Sequence, residues 1–153
     1  MKTLIIYESI HHGNTRKVAE VMSEVLGAEV KRPVEVYPVK LDEYDLIGFG
    51  SGLYNGNLHQ NLLGLARDMP FLNKAAFIFS TSGAPWGQSK KHKQLKDLLT
   101  AKGLRILGDF NCKGLNTHGP ERLLGGLNKG KPDAADLGKA RQFATELLAE
   151  CQS

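Results

Sequence analysis

The sequence predicts a doubly wound α/β fold, in which a five-stranded parallel sheet lies between two layers of helices. Short apolar runs of strand length alternate along the chain with amphipathic stretches of helical length. The chain of 153 residues has the size of one domain, and it contains no internal repeat and no linker-like composition. We therefore expect a single domain that spans residues 1–153 and has three layers, helix–sheet–helix.

The predicted elements follow the chain in a regular order. The strand-like runs, of which the second is the weakest, are Thr3–Tyr7, Ala28–Lys31, Leu46–Gly50, Ala75–Ser80 and Leu104–Phe110. The helix-like stretches are Thr15–Leu26, Leu58–Met69, Lys90–Ala101 and Asp133–Cys151. In the last of these, Asp133 follows Pro132, which is a typical helix start. Its apolar residues form one stripe: Leu137, Ala140, Ala144, Leu147, Leu148 and Cys151.

The composition narrows the classes of protein that fit the chain. The hydrophobic fraction of 41% and the charged fraction of 24% are those of an ordinary globular protein. Cys112 and Cys151 lie far apart without metal-site spacing, which favours a reducing compartment, so we expect a cytoplasmic protein. The first apolar run is too short for a signal peptide, and no run could span a membrane. We therefore expect no membrane insertion, and we expect no nucleic-acid partner; the net charge of +4 is mild.

A polar loop, ESIHHGNTRK, joins the first strand to the first helix. In a sheet of this kind, ligands bind beyond the carboxyl ends of the strands. A helix start offers unpaired N–H groups and a partial positive charge, so a phosphate is a natural guest above Gly13–Thr15. Ser9, Asn14 and Thr15 add side-chain donors, and Gly13 allows close approach of the backbone. The alternative is an ordinary capped helix start, but one cap needs only one such residue.

The spacing within this loop excludes two common nucleotide motifs. A Walker loop needs GxxxxGK[ST], and the dinucleotide fingerprint needs GxGxxG; neither is present here. A mononucleotide is therefore a better candidate than a nucleoside triphosphate. The loops after the next two central strands, SGLYNG and STSGAP, again combine hydroxyl side chains with glycine, and aromatic residues occur at Tyr54 and Trp86.

The three loops SIHHGNT, SGLYNG and STSGAP together resemble those of the flavodoxin family, and the resemblance extends over essentially the whole chain. It implies the strand order 2-1-3-4-5, the short-chain form of the fold and FMN as the cofactor. By this resemblance the phosphate is wrapped by Ser9, Ile10, His11, His12, Gly13, Asn14 and Thr15. By the same resemblance the flavin edges are lined by Ser51, Gly52, Leu53, Tyr54, Asn55, Gly56, Thr81, Ser82, Gly83 and Ala84. Tyr54 and Trp86 are candidates to lie against the flavin faces.

The first loop departs from the common family pattern, which is S/T-x-T-G-N-T. Three residues separate Ser9 from Gly13, and His12 stands where a hydroxyl is usual. Each of His11 and His12 is expected either to donate an imidazole N–H to the phosphate or simply to cover the loop. Tyr54 and Trp86 have a similar alternative, which is to pack against their own domain.

The resemblance implies an electron carrier that passes single electrons between redox partner proteins. The sequence offers no second domain for an organic substrate, and we assign no catalytic acid or base. An FMN-dependent, quinone-linked oxidoreductase is the alternative, because the longer first loop and LYNGNLH resemble segments of such enzymes. A signalling receiver domain is excluded, since it needs acidic residues after the first and third strands.

Positive charge is expected to crowd the ligand-binding edge. The residues concerned are His11, His12, Arg16, Lys90, Lys91, His92, Lys93 and Lys113. Such a rim predicts a partner with an acidic docking face, with an attraction that weakens as salt is added. We expect the protein itself to be a monomer.

Two acidic residues lie beside predicted strands and are given no catalytic role. Asp45 is predicted at the start of its strand, away from the ligand. Asp109 is predicted near the end of the last strand, where it is expected to be structural or weakly tuning.

Overall fold

The computed structural model describes residues 1–10, 13–36, 40–54, 56–83, 88–114 and 130–153, without the side chains of residues 88 and 89. The strands are β1 (Thr3–Glu8), β2 (Glu29–Lys31), β3 (Leu46–Tyr54), β4 (Asn57–Leu58), β5 (Ala75–Ser82) and β6 (Arg105–Lys113). The helices are α1 (Asn14–Leu26), α2 (Gln60–Asp68), α3 (Gln88–Ala101) and α4 (Ala134–Gln152). Two single-turn 3₁₀ helices, Pro33–Glu35 and Leu41–Glu43, lie between β2 and β3.

The sheet order confirms the predicted topology. Five parallel strands lie in the order β2-β1-β3-β5-β6, which is 2-1-3-4-5 when only those strands are counted. The short strand β4 pairs antiparallel with the end of β3 and adds a sixth strand. At this hairpin two predicted boundaries were therefore wrong: β3 continues past Gly50 to Tyr54, and Leu58 lies in β4 rather than in a helix. The reason is that the glycine-containing turn at Gly56, where φ is +80°, folds the chain back on itself. The fourth and fifth predicted strands also run past their predicted ends, to Ser82 and Lys113.

The core consists of two apolar layers, one on each face of the sheet. On one face, β1, β3 and β5 pack against buried residues of α2 and α3, which are Leu62, Leu63, Ala66, Leu95 and Leu99. On the other face, they pack against residues of α1 and α4, which are Val18, Ala19, Met22, Leu26, Ala140, Ala144 and Leu147. The apolar stripe predicted for the last helix is confirmed, and so is its start, because Asp133 caps α4 and accepts a hydrogen bond from the Asp136 amide at 2.9 Å.

Two glycines in β3 make room for aromatic rings of the neighbouring strand. A Cβ atom on Gly48 would lie 2.3 Å from the Phe77 ring, and one on Gly50 would lie 2.1 Å from the Phe79 ring. Both rings are completely buried. The glycines therefore permit β5 to place its phenylalanines over the backbone of β3. The register of the same two strands pairs Gly52 with Thr81 at the carboxyl edge of the sheet.

Across the helices that the structure describes, none combines the length and the apolar character that a membrane crossing requires.

Candidate functional site

The carboxyl ends of β1, β3 and β5 meet the start of α1 at one edge of the sheet. Gly13 precedes the helix in the left-handed conformation, with φ +64° and ψ +27°, which glycine adopts without strain. The first turn of α1 contains no acidic residue, so its exposed amides and partial positive charge are not neutralised from within the helix. Ser9 Oγ is buried and has no hydrogen-bond partner among the described residues. A buried hydroxyl left in this way fits a polar ligand at the helix start.

Two threonines connect the first and third loops. Thr15 Oγ1 lies 2.9 Å from Thr81 Oγ1, and both side chains are almost fully buried. A single hydrogen occupies the contact between the two oxygens, so the second hydroxyl hydrogen is available for another acceptor. Since α1 and β5 supply one hydroxyl each, the pair fixes the helix start relative to the sheet and offers a donor at the same edge.

Tyr54 connects the second loop to the first. The Ile10 amide donates to Tyr54 Oη at 2.9 Å, and the ring meets His59 edge to face at 5.5 Å between centroids. The tyrosine crosses Gly52, where a Cβ atom would lie 2.7 Å from Tyr54 Oη. Burial raises the pKa of Tyr54, against the opposing effects of the Ile10 hydrogen bond and Arg32. The hydroxyl therefore keeps its hydrogen at neutral pH and can donate it to a ligand; stacking of this ring on a flavin stays a prediction.

Several predicted site residues use their side chains inside the protein. Ser51 Oγ donates to the Gly52 carbonyl at 2.6 Å and accepts from the His59 amide at 2.9 Å. Leu53 packs against the core layer on the α2 and α3 side. Ser82 Oγ lies 3.4 Å from Asn111 Oδ1. These residues shape the loops, and it is their backbone that lies at the edge.

The other predicted site residues divide into two groups. Asn14 at the start of α1 lies close to Gly114, where a Cβ atom would be 2.5 Å from Asn14 Nδ2, and Gly83 directly follows β5. The remaining predictions fall on residues outside the described ranges: His11, His12, Asn55, Ala84 and Trp86.

A partly buried ionic cluster beneath these loops was not predicted. Glu8, at the end of β1, is 2% exposed and forms an ion pair with Arg32 and accepts a hydrogen bond from Asn61 Nδ2 at 3.0 Å. The Arg32 guanidinium also lies over the Tyr7 ring, 5.8 Å from its centroid. The only sequence signal was a charged residue at the end of an apolar strand. The cluster holds β1, β2 and the start of α2 together under the ligand-binding edge.

His59 caps α2 close to this cluster. Its Nδ1 atom accepts from the Asn61 amide at 3.0 Å, so the ring is neutral with its hydrogen on Nε2. Burial lowers the pKa of His59, and the positive charge of Arg32 lowers it further.

The predicted position of His92 on a basic rim was wrong. The side chain of His92 is fully buried on the inner face of α3 and contacts Ser80 and Asp109. The sequence KKHK looks uniformly polar, but residue 92 lies on the inner face of the helix, one turn before the core residue Leu95. Within the rest of the predicted rim, Arg16 pairs with Glu20 and Lys93 pairs with Asp97, each on its own helix.

The described residues favour an anionic organic ligand over a metal ion. They contain no group of three or more His, Cys, Asp or Glu side chains that could hold a metal. The edge instead provides a helix start, a buried hydroxyl at Ser9, the Thr15–Thr81 pair and the hydroxyl of Tyr54. The fold and this edge define a doubly wound α/β protein whose topological switch point offers hydrogen-bond donors suited to an anionic ligand.

Comparisons with known proteins agree with this class. Residues 4–116 match the family model described as "Flavodoxin domain". An uncharacterized protein of Methanocaldococcus jannaschii is 47% identical over 148 residues, which cover 97% of this chain and 99% of that protein. The chain belongs to the flavodoxin family, whose members are flavin-binding redox proteins.

Solved structures support the fold. Oxidised Flavodoxin 2 from Bacillus cereus is similar with a TM-score of 0.73 and 17% identity, over 98% of this chain and 99% of that one. A flavodoxin described as coming from the domain Archaea is similar with a TM-score of 0.70 and 15% identity, over the full length of both chains. The short-chain flavodoxin fold predicted from the three loops is therefore confirmed.

Proposed function

We propose that this protein binds FMN and carries single electrons between redox partner proteins. The observation that carries the proposal is the Thr15–Thr81 hydroxyl pair at the start of α1, together with the buried hydroxyl of Ser9, which has no partner among the described residues, in the loop that leads into this helix. These groups match a phosphate, which needs several hydrogen-bond donors and a favourable field. FMN is the flavin form that carries a single terminal phosphate.

The residues of the chain have separable tasks in this proposal. The amides of the α1 start, with the hydroxyls of Ser9, Thr15 and Thr81, hold the phosphate and so fix the cofactor in one register. The family resemblance had assigned Thr81 to the flavin edge; it is assigned to the phosphate here because its hydroxyl lies 2.9 Å from that of Thr15. The β3–β4 hairpin, held by Ser51 and tied to the first loop by Tyr54, forms one wall of the flavin site. FMN, when bound, supplies the electron transfer, and the protein supplies binding, orientation and access.

Partner recognition is proposed to use positive charge on α3. Lys90 is exposed and Lys91 is half-buried near the start of this helix, close in sequence to the third ligand loop, and neither has an ion pair among the described residues. Lysines at a helix start oppose the helix dipole, so helix stability does not explain them. An acidic face on the partner is the complementary chemistry.

Flavin titrations test the cofactor assignment. Replacing Thr15 with Ala should weaken FMN binding by about 1–3 kcal/mol, the usual cost of removing one partner from a buried hydrogen bond. Riboflavin lacks the phosphate, so its affinity should be lower than that of FMN and should not respond to T15A. Thr100, which is exposed on α3, gives a matched control in T100A. Equal affinities of the wild-type protein for FMN and riboflavin would contradict the phosphate site.

Reduction experiments separate the carrier from the quinone-linked enzyme. The purified protein should be yellow and should take up electrons one at a time during photoreduction, which an absorbance titration records. The protein alone should not turn over NAD(P)H with a quinone. Steady turnover of that pair without a partner protein would favour the oxidoreductase instead.

A further inference from the structure

A hydrogen-bonded network of polar side chains, of which Ser80 and His92 are buried, joins α3 to β5 and β6. His92 Nε2 lies 2.6 Å from Ser80 Oγ, and His92 Nδ1 lies 2.7 Å from Asp109 Oδ2. Asn111 Nδ2 donates to the same Ser80 oxygen at 2.8 Å. Ser80 and His92 are both 0% exposed, so no external substrate reaches the serine. We therefore consider which parts of the protein this network holds in place, rather than a reaction at Ser80.

The hydrogen bonds of this network can all be assigned a donor and an acceptor, and they run from Asn111 through Ser80 and His92 to Asp109. The His92 hydrogen bond and the nearby Lys96 ammonium, 3.5 Å from Asp109, outweigh the effect of burial and lower the pKa of Asp109. Asp109 is therefore an ionised acceptor, so Nδ1 of His92 carries the hydrogen and Nε2 accepts from the Ser80 hydroxyl. The Ser80 oxygen in turn accepts from Asn111.

This direction requires a neutral His92. Burial lowers the pKa of His92 more than the hydrogen bond and charge of Asp109 raise it, and Lys96 lowers it further. Asp109 comes from β6 and Lys96 from α3 itself, while the Ser80 segment of β5 contributes no titratable group to the described surroundings. Protonation would turn Nε2 into a donor. The Ser80 oxygen could accept from both His92 and Asn111, but the Ser80 hydroxyl hydrogen would lose its buried acceptor and would have to turn away from His92.

The same side chains fix the end of β5. Asn111 Nδ2 also lies 3.2 Å from the Ser80 carbonyl oxygen and 3.3 Å from Ser82 Oγ. The Gly114 amide donates to the Ser82 carbonyl at 3.0 Å. Because side chains alternate along a strand, Ser80 and Ser82 point toward α3 while Thr81 between them points toward α1. The network therefore sets the position of the Thr81 hydroxyl, 2.9 Å from that of Thr15.

We propose that His92 is a positioning residue for the phosphate site: when neutral, it holds Ser80 and so Thr81 in place, and its protonation weakens phosphate binding. This inference rests on the proposed function, because it assigns a pH control to the same FMN site. By reciprocity, FMN must lower the pKa of His92 by the logarithm of the factor by which protonation weakens FMN. Riboflavin, which has no phosphate for Thr81 to contact, must leave the pKa of His92 unchanged.

The test measures both sides of this linkage on the full chain. The His92 pKa is followed by NMR of ¹⁵N-histidine-labelled protein, without ligand, with FMN and with riboflavin. FMN affinity is measured by fluorescence over the same pH range. We expect FMN to bind about fivefold or more weakly when His92 is protonated, the lower end of usual couplings between sites. The NMR pKa is essential, because a phosphate monoester itself titrates near pH 6, at about its second pKa.

Two variants and a control locate the effect. Asp109→Asn removes the charge that favours protonation, so the His92-linked midpoint should move to lower pH; its side chain is 31% exposed, which limits the risk of misfolding. Ser80→Ala should abolish the difference between the His92 pKa values with and without FMN. Asp97→Asn on the outer face of α3 breaks an exposed pair with Lys93 and should change neither quantity.

The outcomes distinguish the two proposals. Binding of FMN with no change in the His92 pKa overturns the positioning role and leaves the cofactor assignment intact. An equal change of that pKa with riboflavin also overturns it. Failure of the wild-type protein to bind FMN at any pH overturns the proposed function together with this role. If Ser80→Ala fails to fold, Asp109→Asn still tests the positioning role. A His92-linked midpoint of FMN binding that moves to lower pH in this variant supports the role, and an unchanged midpoint overturns it.

Discussion

Replacing Gly50 with Ala should destabilise the protein through the Phe79 ring. A Cβ atom at residue 50 would lie 2.1 Å from Phe79 Cζ and 2.3 Å from Cε2. Ordinary carbon–carbon contacts lie at about 3.5–4.0 Å, so the ring would have to move by more than about 1 Å. Phe79 is 0% exposed and stacks on Phe77 with 6.1 Å between ring centroids, so it has no free space to enter.

The magnitude follows from two opposing effects. Overpacking a well-packed core typically costs about 1–3 kcal/mol. Loss of glycine entropy from the unfolded chain offsets about 0.4–1 kcal/mol of this. We expect a net loss of about 0.5–2.5 kcal/mol in the free energy of unfolding of the cofactor-free protein. Urea denaturation followed by circular dichroism measures it, with the m-value checked for constancy.

Gly64 provides the matched control for this substitution. It lies inside α2, and a Cβ atom there would meet nothing within 4 Å. Gly64→Ala should therefore stabilise the protein by about 0.5–1 kcal/mol. Phe79→Leu should reduce the cost of Gly50→Ala in a double-mutant cycle, since a shorter side chain replaces the ring. A neutral or stabilising Gly50→Ala, or a cost unchanged by Phe79→Leu, would refute the steric explanation.

Three further predictions concern charge and reactivity. Replacing Lys90 and Lys91 with Gln should slow reduction by an acidic donor protein and flatten the salt dependence of that rate, whereas Lys93→Gln, which breaks the Asp97 pair, should have a smaller effect. Asp133→Ala should lower the thermal midpoint of unfolding at pH 7. The Lys131 hydrogen bond lowers the pKa of Asp133 from 3.8 to about 2, so the stability that ionised Asp133 contributes is fully present at pH values above 3.8 and is lost as the pH falls toward 2. Burial raises the pKa of Cys112 to about 12, so iodoacetamide at pH 7.5 should leave this thiol unmodified until the protein is unfolded, as mass spectrometry can show.

The sequence was sufficient for the features that repeat locally. Alternating apolar runs located the five parallel strands, and the Pro132–Asp133 pair marked the start of α4. It was insufficient where two distant segments meet. Nothing near Glu8 in the sequence points to Arg32 or Asn61, because that cluster forms only when β1, β2 and α2 come together. The charged appearance of the KKHK segment hid a histidine that faces inward.

The position of the proposed site within β5 predicts that core packing and ligand binding are linked in this protein. On one face of the strand, Phe77 and Phe79 fill the core, and Thr81 follows them toward the Thr15 hydroxyl. On the other face, Ser80 and Ser82 are held by His92 and Asn111. A shift of the strand at Phe79 therefore reaches Thr81 only two residues later, about 7 Å along an extended chain. A phosphate held by hydrogen bonds tolerates little displacement, since such bonds keep donor–acceptor distances of about 2.7–3.2 Å and need a nearly straight angle at the hydrogen. The glycines of β3, which let the phenylalanines sit close, are thus part of what positions the ligand-binding edge.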